Sequence, residues 1–291
     1  MSEIESMRGF SEIFVFLFFF LIGASVLLGS DRNYNFFQRE NLSEVVEKSL
    51  ADNKEDYAIV IKNLKTEESY ALNARKVFQP ASLYKLWVMA AVFSEIKDGN
   101  LKESDILSKE IPELNDEFEL ASEEAELTEG TISRSVGDAL FQMITISHNY
   151  SALLLSSEVG NSKISNLMAG LEFTQSRLGT SNTTPQTTAS DIALFYEKLY
   201  KGEIVDRNYS QKMIDILIKQ QLNDRIPKYL PKGTKVAHKT GEIKFFKHDT
   251  GIVFTEKGDY IIVVLSESNS SKAAAERIAN LSKNVYEYFS R

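Results

Sequence analysis

The spacing of apolar and polar residues changes period along the chain. Leu42, Val45, Val46 and Leu50 recur at helical intervals and predict a helix over 42–50. Tyr57–Leu64, "YAIVIKNL", is a β-branched run that predicts a strand, turned by "KTEES" into a return strand over Tyr70–Leu72. Ser82–Lys97 predicts a helix closed by "DGN". Helical spacing returns over Val136–Ile146, Asn149–Val159, Ile164–Leu171, Ala189–Tyr200 and Ser210–Gln221. The last third shifts to strands at Lys235–Lys244, Gly251–Thr255 and Tyr260–Glu267, with "EKGD" turning between the last two. An amphipathic helix closes the chain over Ser271–Phe289, its apolar side made by Ala274, Ile278, Leu281, Val285 and Phe289.

Strands at both ends therefore bracket a helical middle. Consecutive strands joined by short turns imply an antiparallel sheet. The predicted class is α+β: a three-layer α/β/α arrangement with helices on both sheet faces and a mostly helical subdomain beside it, separated by a cleft. No internal repeat interrupts this plan.

One stretch belongs to no such pattern. Ile13–Gly29, "IFVFLFFFLIGASVLLG", is 17 residues without a charge and is apolar on every side. Its length is at the short end for a membrane span and long for a signal-peptide core. No A-x-A site follows, and there is no cysteine for a lipid anchor. The reading is a stub over 1–12, an uncleaved anchor over 13–29, a linker over 30–39 and one catalytic-size domain over 40–291; a cleaved signal is the alternative. Arg8 before the span and Arg32 and Arg39 after it give no clear orientation by charge.

The full chain has 291 residues, 43% of them hydrophobic, and a net charge of −8. With no basic stripe, nucleic acid is not an expected partner. The absence of cysteine removes disulfides, thiolate metal sites and a cysteine nucleophile. Three histidines, His148, His238 and His248, lack H-x-x-E-H or H-x-H spacing, so no metal is expected. A Ser-His-Asp triad drawn from His248 and Asp249 is disfavoured because the two fall in a turn entering a strand. Glu103–Glu129 holds eleven acidic residues and one lysine and reads as a solvated, loop-rich surface.

The chemistry starts at "PASLYKLW", residues 80–87. Ser82 and Lys85 lie three apart, so on a helix they share a face, and the lysine stem leans back over the serine. A lysine amine whose pKa is lowered by burial or a nearby cation can take a serine proton. The pattern recurs at Ser94 and Lys97, so alone it decides little. Two further stretches discriminate: Ser147-His148-Asn149 at a helix junction, and Lys239-Thr240-Gly241 on a strand. Ordered along one chain, the three form a set that is hard to obtain by chance.

This set resembles the penicillin-recognising serine hydrolases, meaning the class A β-lactamases and their D-alanyl-D-alanine peptidase relatives. The resemblance covers residues 40–291. "FQPASLYKL" is similar to the nucleophile helix of that family, "IPKYLPKGTKVAHKTGE" to the approach to its active-site strand, and "HDTGIVF" and "YIIVVLSES" to the next two strands. It implies a β-lactamase/transpeptidase-like fold and an acyl-serine hydrolase needing no cofactor. In that reading Ser82 is the nucleophile and Lys85 its base. Ser147 relays a proton to the leaving nitrogen, and Asn149 binds the substrate amide and Lys85. Lys239 depresses the Lys85 pKa and draws in a substrate carboxylate, to which Thr240 donates. Gly241 and Glu242 continue the substrate-binding strand, and the backbone N–H groups of Ser82 and Glu242 form the oxyanion hole. The implied substrate is a β-lactam or a peptidoglycan stem peptide, and from it follows an extracytoplasmic domain on a membrane anchor, or a secreted form after cleavage. D,D-carboxypeptidase and slowly deacylating β-lactam sensor remain alternatives.

Two features depart from the class A pattern. The Glu-Pro-x-Leu-Asn loop is missing, and Glu172 is the one acid between Gly160 and Asp191 that could activate a deacylating water. "PELN" at Pro112–Asn115 has similar wording but precedes the second motif. His148 stands where class A enzymes usually carry aspartate.

Overall fold

The structure is a computed structural model that describes residues 40–50, 53–180 and 183–291. The stub, span and linker read from residues 1–39 lie outside these. Among the described residues no helix is long and apolar enough to cross a membrane.

Helix α1 (Leu42–Leu50) leads into strands β1 (Tyr57–Asn63) and β2 (Ser69–Leu72). A 3₁₀ turn over Ala81–Tyr84 runs into α2 (Lys85–Lys97). The middle holds β3 (Ile106–Glu110), α3 (Ile111–Glu117), β4 (Thr131–Ser135), α4 (Val136–Thr145), α5 (Asn149–Val159), α6 (Asn161–Gly170), α7 (Ala189–Lys201) and α8 (Arg207–Leu217). Strands β5 (Val236–Ile243), β6 (Phe246–Val253) and β7 (Tyr260–Ser266) precede α9 (Ser271–Phe289).

Five strands form one antiparallel sheet in the order β2-β1-β7-β6-β5. Strand β7 lies at its centre and is buried along its whole length, which is why "YIIVVLS" is apolar without alternation. Tyr260, Ile262 and Val264 pack with Leu42, Val46, Ile278, Leu281 and Val285 of α1 and α9 on one face. Ile261, Val263 and Leu265 point to the other face and join the helical core. The three-layer α+β class read from the sequence is therefore the observed one.

Helix α2 is buried on all sides: Leu86 through Phe93 are each at most 2% exposed. It is the central post of the helical region, and its first residue is Lys85. Serine 82 sits in the 3₁₀ turn just ahead rather than in the α-helix itself.

Two local assignments change. His248 and Asp249 lie inside strand β6, not in a turn, because β6 begins at Phe246 and pairs with β5 from Val236 to Ile243. The acidic stretch contains β3 and α3, with Pro112 in the first turn of α3, where a missing N–H costs nothing. Its apolar positions Leu107, Ile111 and Leu114 are buried, and the surrounding charge masked them.

Candidate active site

Strand β5 is an edge strand, and its free edge meets the 3₁₀ turn that carries Ser82. A Cβ at Gly241 would lie 2.9 Å from the Pro80 carbonyl oxygen and 3.1 Å from Leu83 Cγ. Only glycine lets the Ser82 turn approach the strand this closely. Ala81, directly before Ser82, has φ 47°, a left-handed conformation unfavourable for a residue with a Cβ. Ser147 has φ 58° and is strained in the same way. The Ser82 turn and the Ser147 junction are thus both held in conformations that the surrounding packing must enforce.

His248 supplies part of that enforcement. The Ser266 N–H donates to its Nδ1 at 3.1 Å, so Nε2 carries the proton and donates to the Gln79 carbonyl at 2.9 Å. Burial pushes the imidazole pKa down to about 4, so it stays neutral. This histidine ties the sheet to the chain entering the Ser82 turn. Asp249 bonds a different histidine: His238 Nδ1 lies 2.8 Å from its Oδ1, and His238 Nε2 lies 3.0 Å from Asn223 Oδ1. Among the described residues neither histidine makes a hydrogen bond to Ser82.

Lys85 and Lys239 are both fully buried. The Lys85 ammonium donates to the Ser147 carbonyl (2.6 Å), Ser147 Oγ (3.2 Å) and Asn149 Oδ1 (2.7 Å). Lys239 donates to the same Ser147 Oγ (3.0 Å) and to the Thr240 carbonyl (2.8 Å). Ser147 Oγ accepts from two amines, which leaves its own O–H to donate elsewhere. Asn149 turns its amide nitrogen to Glu126 Oε1 at 2.5 Å.

Burial lowers the Lys85 pKa to about 7, while the Glu126 carboxylate pulls it the other way. Burial, with the neighbouring Lys85, brings Lys239 well below the usual lysine range. The expectation that Lys239 depresses Lys85 is thus revised: loss of water is the main cause at both amines. As an ammonium, Lys85 uses its three protons on three acceptors. Losing one near neutral pH leaves two donors and a lone pair, which is what a general base needs. Ser82 Oγ, half-buried one turn earlier, makes no hydrogen bond among the described residues.

Thr240 is buried on β5 beside Lys239. The Glu242 side chain is fixed by Arg225 Nη2 (2.7 Å), Ser271 Oγ (2.9 Å) and Lys247 Nζ, and these partners hold its carboxyl below the usual range against the opposing effect of burial. Glu172 lies away from this network. Its side chain is 76% exposed and pairs with Lys198 at 2.9 Å. Asn115 of the "PELN" stretch bonds Tyr150 and the Leu127 carbonyl, a structural role. Glu126 is the site residue that sequence reasoning missed. It is one of eleven carboxylates in a charged run, and no spacing singles it out.

Among the described residues there is no cluster of three histidine or acidic side chains that could hold a metal ion. Ser147 between two buried amines, the Asn149 amide, and the Ser82 turn against an edge strand together make up the candidate site. The family comparison agrees: residues 40–289 match the model of the Beta-lactamase enzyme family, and the chain belongs to that family of serine hydrolases. The fold is similar to a β-lactamase from Sphaerobacter thermophilus at 21% identity, covering 86% of this chain and 97% of that one, with TM-score 0.74. PBP-A is similar at 22% identity over 87% and 97% of the two chains, with TM-score 0.76. A class A β-lactamase representative from Bacteroides cellulosilyticus is 20% identical over 86% and 98%, with TM-score 0.71. No curated protein sequence matches the chain.

Proposed function

We propose that this protein acylates Ser82 with β-lactams or D-alanyl-D-alanine amides and then hydrolyses the acyl-enzyme. The observation that carries the reading is the single Ser147 hydroxyl shared by Lys85 and Lys239 at 3.2 and 3.0 Å. Neutral Lys85 takes the Ser82 proton as Oγ attacks the carbonyl. The proton passes through the Ser147 hydroxyl to the leaving nitrogen, and the C–N bond breaks. Lys239 and Thr240 attract a substrate carboxylate. Asn149 donates its second amide proton to the substrate amide, and Gly241 and Glu242 extend the strand against which the substrate lies. The oxyanion is held by the N–H groups of Ser82 and Glu242. In support, a mutant of PBP-A has been solved as an acyl-enzyme complex with penicillin G.

One observation favours slow release over fast turnover. Between residues 160 and 188 the sole carboxylate, Glu172, is exposed and occupied by Lys198, so it does not serve a deacylating water. The D,D-peptidase or β-lactam-sensor reading follows from this, with acylation intact. Residues 13–29 would hold the domain at the outer membrane face, which puts it beside peptidoglycan stem peptides. Fluorescent penicillin and a pentapeptide ending in D-Ala-D-Ala test the proposal. Covalent label lost within seconds indicates a β-lactamase, whereas label lasting hours with D-alanine release indicates a peptidase. Failure of the protein to label at all contradicts the proposal.

A further inference from the structure

Glu126 sits in the acidic stretch that reads as plain solvated surface, yet its place is fixed. The Leu127 N–H donates to Tyr150 Oη at 3.1 Å. The Leu127 carbonyl meets the same hydroxyl at 2.7 Å and accepts from Asn115 Nδ2 at 2.8 Å. Tyr150, 2% exposed, directly follows Asn149, and Asn115 is buried on α3. The backbone after Glu126 is therefore pinned next to the residue that its carboxylate contacts.

We infer that Glu126 is a positioning residue that sets the orientation of the Asn149 amide and, through it, holds the Lys85 amine. This rests on the acyl-transfer reading of the site. A carboxylate only accepts hydrogen bonds, so it meets the Nδ2 end of Asn149 and never the Oδ1 end. With Nδ2 drawn outward at 2.5 Å, Oδ1 faces Lys85 at 2.7 Å. The second Nδ2 proton remains for a substrate carbonyl. A flipped amide would set Nδ2 against the Lys85 amine and lose both functions. Among the described residues no lysine or arginine lies in ion-pair contact with Glu126; the residue is solvent-exposed, so water weakens its charge, which still acts on the Lys85 amine. The acidic loop thus sets a carboxylate on the Asn149 side of the two lysines, as Asp249 does behind Lys239.

The charged groups around Lys85 are Lys239 from β5, Glu126 from the loop before β4, and His148 at the start of α5, itself acted on by Arg134 of β4. Asp249 and Arg225 lie behind Lys239 and act on it. Glu126 opposes the loss of the Lys85 proton, so removing its charge makes that proton leave at lower pH.

The experiment follows the Lys85 side chain by carbon NMR in lysine-labelled protein, assigned with Lys85→Arg, beside the second-order rate of fluorescent-penicillin labelling from pH 5 to 9. Both are measured in wild type, Glu126→Gln and Glu126→Ala. The expected result is a lower Lys85 titration midpoint in both variants and an acid limb of labelling moved the same way. At pH 8 the rate falls on the order of tenfold in Glu126→Ala, and less in Glu126→Gln, whose amide oxygen still accepts from Asn149. The displacement persists in a His148→Asn background, in which asparagine keeps the α5 cap and the titrating ring is gone. Tyr150→Phe, which loosens the loop and leaves the carboxylate, lowers the rate with a smaller displacement. An unchanged Lys85 midpoint in Glu126→Gln overturns the inference. A wild type that never labels, with the midpoint still displaced, overturns the acyl-transfer reading alone.

Discussion

At Lys85, two demands conflict. A buried ammonium is costly, and three hydrogen bonds offset only part of that cost. The compromise is an amine that loses its proton at about pH 7 instead of the usual lysine range. Because the neutral form is the base, acylation should rise with pH up to about 7 and then level off. Lys85→Arg, which stays protonated, should cut the labelling rate by roughly 10²–10⁴-fold and abolish the rise, as read by stopped-flow labelling across pH. The pair Ser82 and Lys85 stood out in the sequence only beside the two later motifs, and the helical face expected for it is in fact a 3₁₀ turn running into α2. The source of the shift was not legible, since it comes from burial created by α2, α5 and β5 together. Glu126 was illegible for a related reason: its neighbours Asn149 and Tyr150 lie over twenty residues away in sequence.

At the scale of elements, the decisive contact is the nucleophile turn against edge strand β5. The "HKTGE" strand was legible as part of β5. The reason for its glycine was not, because it depends on the Pro80 carbonyl on a separate element. Gly241→Ala should push the turn and strand apart, since the added Cβ falls 2.9 Å from that oxygen. The expected cost is ~1–3 kcal/mol in chemical denaturation, with a far larger proportional loss in labelling rate. An alanine variant that labels like wild type would show that the turn yields freely. Strand β6 was read too short at its start. Polar His248 and Asp249 look like turn residues, yet each is buried with its hydrogen bonds filled by neighbouring strands and loops.

At the scale of the whole molecule, the sheet and helices were legible because apolar period survives in α1 and α9 and an unbroken apolar run marks β7. The helical middle was blurred where charge covers β3 and α3. One prediction concerns global stability. His248 takes up its proton at about 4 when folded, against 6.5 for the free side chain. Between these values the unfolded chain binds more protons, so stability is full above pH 6.5 and falls as pH drops toward 4. The loss from this one group is ~3 kcal/mol. Urea denaturation should show a steeper decline between pH 6.5 and 4 in wild type than in His248→Gln, which lacks the titrating ring. Equal slopes would mean that the histidine is not buried in its neutral form.

The central claim is that Ser82 becomes covalently acylated. The most direct measurement is intact-protein mass spectrometry after brief exposure to penicillin G, followed by peptide mapping. The account predicts a single penicilloyl adduct on the peptide containing Ser82, present in wild type and absent in folded Ser82→Ala. An adduct that survives in Ser82→Ala, or that maps to another residue, would contradict it.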